Sequence, residues 1–259
     1  MNVCSNNIAM MQPESRNCTT SATTTASKLN NDAVKLIDSN QYDMSIDKLT
    51  RALSEAKQEL VASGATTTSI SGGSKLLPTL DSLMLDTAVC SSPADKIGES
   101  HYYTCYRPIT LSTVTTTTSE EYKEYALMIQ SAAIIFNLAL TYQLQAATLT
   151  SITRRSSTLT KAVKLYEMAH NFAREISLLE RKEVNPLFIM ATINNMAIVY
   201  DSLHNDRAST CMLKHLLSTI MRLSDCGLIV SEIATSSQYD GFLRNVLPLV
   251  SKISVAPAA

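Results

Sequence analysis

Glycine is scarce in this chain and tryptophan is absent: six Gly and no Trp in 259 residues. A loop that cradles phosphate needs clustered glycines just before a helix, so that backbone N–H groups can reach the anion. Only Gly72 and Gly73 adjoin here, and no helical pattern follows them, which argues against a nucleotide site. The six cysteines (Cys4, Cys18, Cys90, Cys105, Cys211, Cys226) include no C-x-x-C pair, so there is no zinc knuckle. The first eleven residues lack the basic start and the apolar run of a secretory signal. A disulfide framework is therefore not expected, and the compartment reads as reducing. Neither sign of charge is in excess: 22 Lys+Arg against 23 Asp+Glu leave a net of -1. That is no electrostatic footprint for nucleic acid or for an anionic membrane. The greasiest stretch, Ala132 to Leu140, is about half the length needed to cross a bilayer and has Gln130, Ser131, Asn137 and Gln143 in or beside it. It reads as core.

The four histidines (His101, His170, His204, His215) form no i, i+4 pair of metal ligands. Cys211 and His215 do have that spacing, but a helical Cys is more often a small core residue and a lone His a surface one. No catalytic residue, metal ligand or cofactor is expected.

Serine and threonine are abundant, 31 and 28 residues, and they cluster. Residues 1–26 are Ser/Thr/Asn-rich with few large apolar side chains, too little burial to offset ordering entropy, and read as a disordered tail. Residues 27–60 carry apolar residues at helical spacing, broken by Ser39-Asn40-Gln41, and predict a helical hairpin. Residues 61–118 hold four of the six glycines, three of the seven prolines and two Thr runs, which predicts a low-complexity insertion. Within it Thr79 to Val89 and His101 to Val114 are strand-like, so a small β-hairpin is expected, with Pro108 restricting the second strand to an edge.

Beyond Val114 the pattern is helical. A capping box at Thr118 to Glu121 opens a helix to about Ala146. Thr148 to Thr158 reads as a loop, and Leu159 to about Glu183 as the next helix. Asn185 and Pro186 supply an N-cap and a first-turn proline for a helix ending near Leu203. After a turn at His204 to Asp206, a further helix runs to about Asp225. Residues 119–226 are thus two more hairpins. Residues 227–259 form a capping segment, with a short helix at Tyr239 to Leu247, and a tail.

The three hairpins share a pattern of small and large residues. Leu29, Ala33 and Leu36 precede Tyr42, Ile46, Leu49 and Ala52. Ile135, Leu138, Ala139 and Tyr142 precede a turn lengthened by about eleven residues, then Ala162, Tyr166 and Ala169. Ile193, Met196, Ala197 and Tyr200 precede Ala208, Met212 and Leu216, in a second helix that fits either of two registers. A small residue on the first helix lets the second approach closely. On these residues the chain resembles the tetratricopeptide repeat (TPR). The resemblance implies an all-α superhelix of about three antiparallel hairpins with an inner groove. It departs from the family in Ser45, which stands where alanine is usual. Asp240 to Val246 and Ala256 to Ala259 also resemble the endings of a group of TPR-like proteins of diatoms.

The resemblance implies a groove lined by Asn30, Val34, Ile37, Phe136, Leu140, Gln143, Asn194, Ile198 and Asp201, suited to an extended or helical peptide. Family members that clamp a C-terminal carboxylate use Lys and Arg on this face. Val34 and Ala191 stand at two such places, so carboxylate binding is not expected. The leading expectation is a non-enzymatic, cytoplasmic interaction scaffold, the nucleus being left open, that binds a protein or peptide and neither nucleic acid nor membrane. Two other readings stay open: a thiol- or His-dependent enzyme with a site assembled from distant residues, and an RNA-binding helical repeat. Arg154-Arg155-Ser156-Ser157 resembles a basic-directed kinase site, with Ser157 placed just before a helix.

Overall fold

The computed structural model describes residues 25–62, 103–111, 120–180, 185–225 and 237–254. Seven helices account for all of these except 103–111 and the short turns: α1 (Thr25–Asp38), α2 (Tyr42–Ala62), α3 (Glu120–Thr148), α4 (Ile152–Glu180), α5 (Pro186–Ser202), α6 (Asp206–Asp225) and α7 (Ser237–Ser254). Each packs on the next in chain order, α1 also touches α3, and α5 touches α7. The pairs α1/α2, α3/α4 and α5/α6 are joined by three residues each, too few for anything but antiparallel hairpins.

Two of these turns close in the same way. Asn40 and His204 adopt φ of 58° and 56°, the left-handed conformation that ends a helix. Their N–H groups donate to Ile37 and Asp201, and the following N–H groups of Gln41 and Asn205 donate to Leu36 and Tyr200. These are the two bonds of a Schellman cap. A β-carbon in this conformation carries a steric cost that glycine avoids. His204→Gly should therefore raise stability by about 0.5–1 kcal/mol, read as a higher urea midpoint at unchanged m-value.

The two hairpins correspond residue for residue. Asn40 matches His204, α2 begins at Tyr42 and α6 at Asp206, and α1 and α5 end at Asp38 and Ser202, all at one constant offset. Under that offset Ala33 matches Ala197 and Ser45 matches Ser209, and all four are buried. The Ser45 hydroxyl donates to the Ala33 carbonyl of the facing helix at 3.2 Å. A serine thus replaces the usual small apolar residue without leaving a buried hydroxyl unpaired. The register of α6 is settled as well: Ser209, Leu213, Leu216, Ile220 and Leu223 face inward and Ala208 is half-buried.

Apart from the half-buried Ala208, the alanines of the shared pattern are interior. Ala33, Ala52, Ala139, Ala162, Ala169 and Ala197 are all 0% exposed, as close approach of neighbouring helices requires. The central helices are covered on every side: residues 130–141 of α3 and 190–199 of α5 are buried without interruption. By length and composition Tyr125–Thr148 is enough to cross a membrane, longer than the nine-residue stretch suggested, but its apolar window is 78% buried in this fold. Its hydrophobicity goes into packing.

Some boundaries differ from expectation. α1 begins at Thr25, with Ala26 buried, two residues before the expected start of the first hairpin; residues 1–24 of the expected tail lie outside the described residues. The residues expected to lengthen the α3/α4 turn are helical instead. α4 starts at Ile152, capped by the Ser151 hydroxyl, which accepts from the Arg154 N–H at 3.5 Å. The Ser/Thr-rich composition of 151–158 favours a loop, but the chain is helical from Ile152; residues 151–157 are all exposed, so the first turns of this 29-residue helix stand in solvent before Leu159 is buried. Ser157 therefore lies inside α4. Asn185 caps α5 as expected, accepting from the Leu187 N–H, with Pro186 in the first turn. Among the described residues there is no strand; Thr79 to Val89 lies outside them, and 103–111 of the second strand-like stretch is extended.

Candidate functional site

Residues 103–111 lie along the first helices of the hairpins and α7, and asparagine side chains hold their backbone. The Leu111 N–H donates to Asn31 Oδ1 at 2.8 Å and its carbonyl accepts from Asn31 Nδ2 at 2.7 Å. Asn137 makes the same pair of bonds with Ile109, both at 2.7 Å. Asn195 does so with Cys105 at 3.0 and 2.9 Å, and Asn245 with Tyr103 at 2.7 and 2.6 Å. All the gripped residues lie on one edge of the segment, because in an extended chain the N–H and C=O of alternate residues point the same way. A carboxamide carries one donor face and one acceptor face, so each asparagine replaces one rung of a neighbouring strand.

The four helices that supply these rungs take the segment in reverse order. α1 holds Leu111, α3 Ile109, α5 Cys105 and α7 Tyr103. The rungs are two residues apart within α1/α3 and within α5/α7 and four apart between α3 and α5. Nine extended residues rise about 26 Å, the length over which this one short strand meets all four helices.

Two further asparagines buttress the rungs. Asn30 Nδ2 donates to the Ile109 carbonyl at 2.9 Å, and Asn30 Oδ1 accepts from Asn137 Nδ2 at 2.9 Å. Asn194 Nδ2 donates to the Tyr103 carbonyl at 3.0 Å, and its Oδ1 accepts from Asn245 Nδ2 at 2.6 Å. The cradle is thus one three-asparagine unit used twice. Asn30, Asn31 and Asn137 grip residues 109 and 111; Asn194, Asn195 and Asn245 grip 103 and 105. Between the units, Asn195 Nδ2 also donates to the Tyr166 hydroxyl at 3.1 Å, which donates to Gln143 Oε1 at 2.8 Å. Burial pushes the Tyr166 phenol well above its ordinary pKa, so it stays a neutral donor.

α7 is fitted to the start of the segment. A β-carbon on Gly241 would meet Tyr103 ring carbons at 2.3 Å, so the absence of a side chain there lets the ring lie on the helix. Phe242, fully buried, meets that ring edge-on with centroids 5.7 Å apart. Gly241, Phe242 and Asn245 all belong to the Asp240 to Val246 stretch.

Of the nine groove residues expected, Asn30 and Asn194 reach the segment. Phe136 occupies the matching place in the second hairpin but packs against Tyr166 and Phe188, with ring centroids 5.5 and 5.7 Å away. Ile37 and Leu140 are buried in the core cluster, and Val34 and Ile198 are buried as well. Gln143 supports Tyr166. Asp201 is half-buried at the end of α5, where burial and then Asp206 raise its carboxyl pKa. The rungs themselves come from Asn31, Asn137 and Asn195, two residues before each shared alanine, and from Asn245.

Cys211 is exposed on α6. One turn on, the His215 ring meets His170 of α4 edge-on with centroids 5.4 Å apart. Among the described residues no group of His, Cys, Asp and Glu is placed to hold a metal ion. Burial first, then His215 and Arg174, lower the His170 pKa from 6.5 to about 4, and burial with Arg222 and Arg174 lowers that of His215. The folded state therefore binds fewer protons than the unfolded chain at these sites. Their contribution is intact above pH 6.5 and is lost as pH falls from there toward 4. His170→Gln should flatten that part of a stability-against-pH curve measured by urea unfolding, while leaving the curve above pH 7 parallel to the parent's.

Comparisons with family models, with curated proteins and with solved structures give no match.

Proposed function

We propose that this protein is a non-enzymatic interaction scaffold of the TPR-like kind, whose stacked hairpins form a groove for an extended peptide segment of a partner protein. The observation that carries this reading is the pair of three-asparagine units, which together grip an extended segment by its backbone groups. Grip through backbone groups tolerates many side chains, the property an interaction surface for extended segments needs. The equivalence of the first and third hairpins supports the repeat character, since stacked copies present the same side chains at regular intervals along one face.

The test is selection of short random peptides on the immobilised full chain, with serum albumin as the control surface. Recovery of peptides that share a spacing of apolar residues, and that bind the chain in solution by fluorescence anisotropy, supports the scaffold. Recovery no higher than on albumin, both on the parent and on a chain whose 103–111 segment is weakened by Cys105→Asp/Ile109→Asp, counts against it.

A further inference from the structure

We infer that the asparagine cradle is an exchangeable site for an extended peptide and that residues 103–111 are its resident occupant, a built-in ligand that a partner segment displaces. This rests on the scaffold reading above and names its site. The occupant belongs to no hairpin: it comes from the connection between α2 and α3, whose ends are at Ala62 and Glu120. Its rungs at 103, 105, 109 and 111 are made to side-chain amides on four different helices, through groups that any peptide except one with proline at those places possesses.

The occupant also writes the ligand's specification. Thr104, Cys105, Ile109 and Leu111 are buried, whereas Thr110 is exposed. The site therefore takes a strand with an aromatic residue at its first place, a small one at the third, and aliphatic residues at the seventh and ninth. Arg107 occupies the gap between the two units. Tethering gives the resident segment an effective concentration on the order of millimolar, so a free peptide enters the parent protein weakly and a chain with a weakened occupant well.

The experiment uses the full chain under reducing conditions and a fluorescent synthetic peptide of residues 103–111 with blocked ends. In the variant Cys105→Asp/Ile109→Asp, two carboxylates at buried places weaken the resident segment while leaving every asparagine intact. Peptide affinity is expected to be at least about tenfold higher for this variant than for the parent. N-methylation of the peptide at Cys105 and Ile109, which removes only the gripped N–H groups, should weaken binding at least about tenfold, and N-methylation at the exposed Thr110 less than about threefold. Equal effects of the two methylation patterns, or no binding to a variant that keeps its helical circular dichroism, overturn the proposal.

Should the variant lose its helicity, the parent decides by amide exchange. Excess peptide is expected to speed exchange at the tethered Cys105, Ile109 and Leu111, and unchanged rates there overturn the proposal. Selected peptides whose binding survives both Asn137→Ala and Asn195→Ala would remove the cradle as the site while leaving the scaffold standing.

Discussion

Asn195→Ala is expected to cost about 2–6 kcal/mol of stability, because it removes the Asn195 partner of two buried backbone groups of Cys105, at about 1–3 kcal/mol each. Cys105 and Asn195 are both 0% exposed, so water cannot replace the lost bonds while the segment stays docked. The Tyr166 hydroxyl loses its Asn195 donor as well. The alternative for the molecule is to release the segment, which uncovers Cys105, Ile109 and Leu111 and forfeits their burial. A total stability of about 5–15 kcal/mol is usual for a folded domain, so this single amide accounts for a large share. Asn31→Ala is the comparison: its rung to Leu111 is only partly buried, water can reach the freed groups, and the cost should be about 1 kcal/mol. Urea unfolding of the two variants measures the difference. Equal midpoints would contradict the part assigned to burial.

Gly241→Ala reverses an ordinary expectation. Inside a helix alanine is better than glycine by about 1 kcal/mol, so a free α7 would gain from the change. Docked on the segment it loses, because the new methyl carbon would stand 2.3–2.5 Å from three carbons of the Tyr103 ring, far inside the contact distance of about 3.5–4.0 Å. The ring has little freedom to yield, held by Phe242 at its edge and by the bonds of Asn245 to its backbone. A net loss of about 1–3 kcal/mol is expected. With Tyr103→Ala already in place the obstruction is gone, and Gly241→Ala should become neutral or stabilising. A double-mutant cycle reads this as a coupling of about 0.5–3 kcal/mol. Additive effects would show that α7 and the segment do not meet as described.

Much of the helical framework was legible in the residues. The alanines at 33, 139 and 197, the break at Ser39 to Gln41, and the Asn185-Pro186 start each follow from local chemistry that tertiary contacts leave unchanged. Composition puts a loop at Thr148 to Thr158 because Ser and Thr favour loops when taken alone, whereas the chain turns at 149–151 and these residues form the solvent-exposed first turns of α4, ahead of the buried Leu159. The cradle was legible only in part. The repeat pattern puts Asn30 and Asn194 on the inner face, but nothing in it marks Asn31, Asn137, Asn195 and Asn245 as a set. A signal existed: asparagine is unfavourable in helix interiors, and Asn137 and Asn195 interrupt the most apolar helices of the chain. What such an asparagine binds is not encoded near it, since its partner lies 28 residues away for Asn137 and 90 for Asn195.

By itself the sequence determined which stretches are rods, where they bend back, and which faces carry small residues, because spacing, caps and side-chain size act within one or two helical turns. Only the tertiary structure decided that residues 103–111 of a threonine- and tyrosine-rich stretch would lie across four helices. Their backbone groups need partners wherever they are buried. Six carboxamides from distant helices meet that need once the hairpins are stacked.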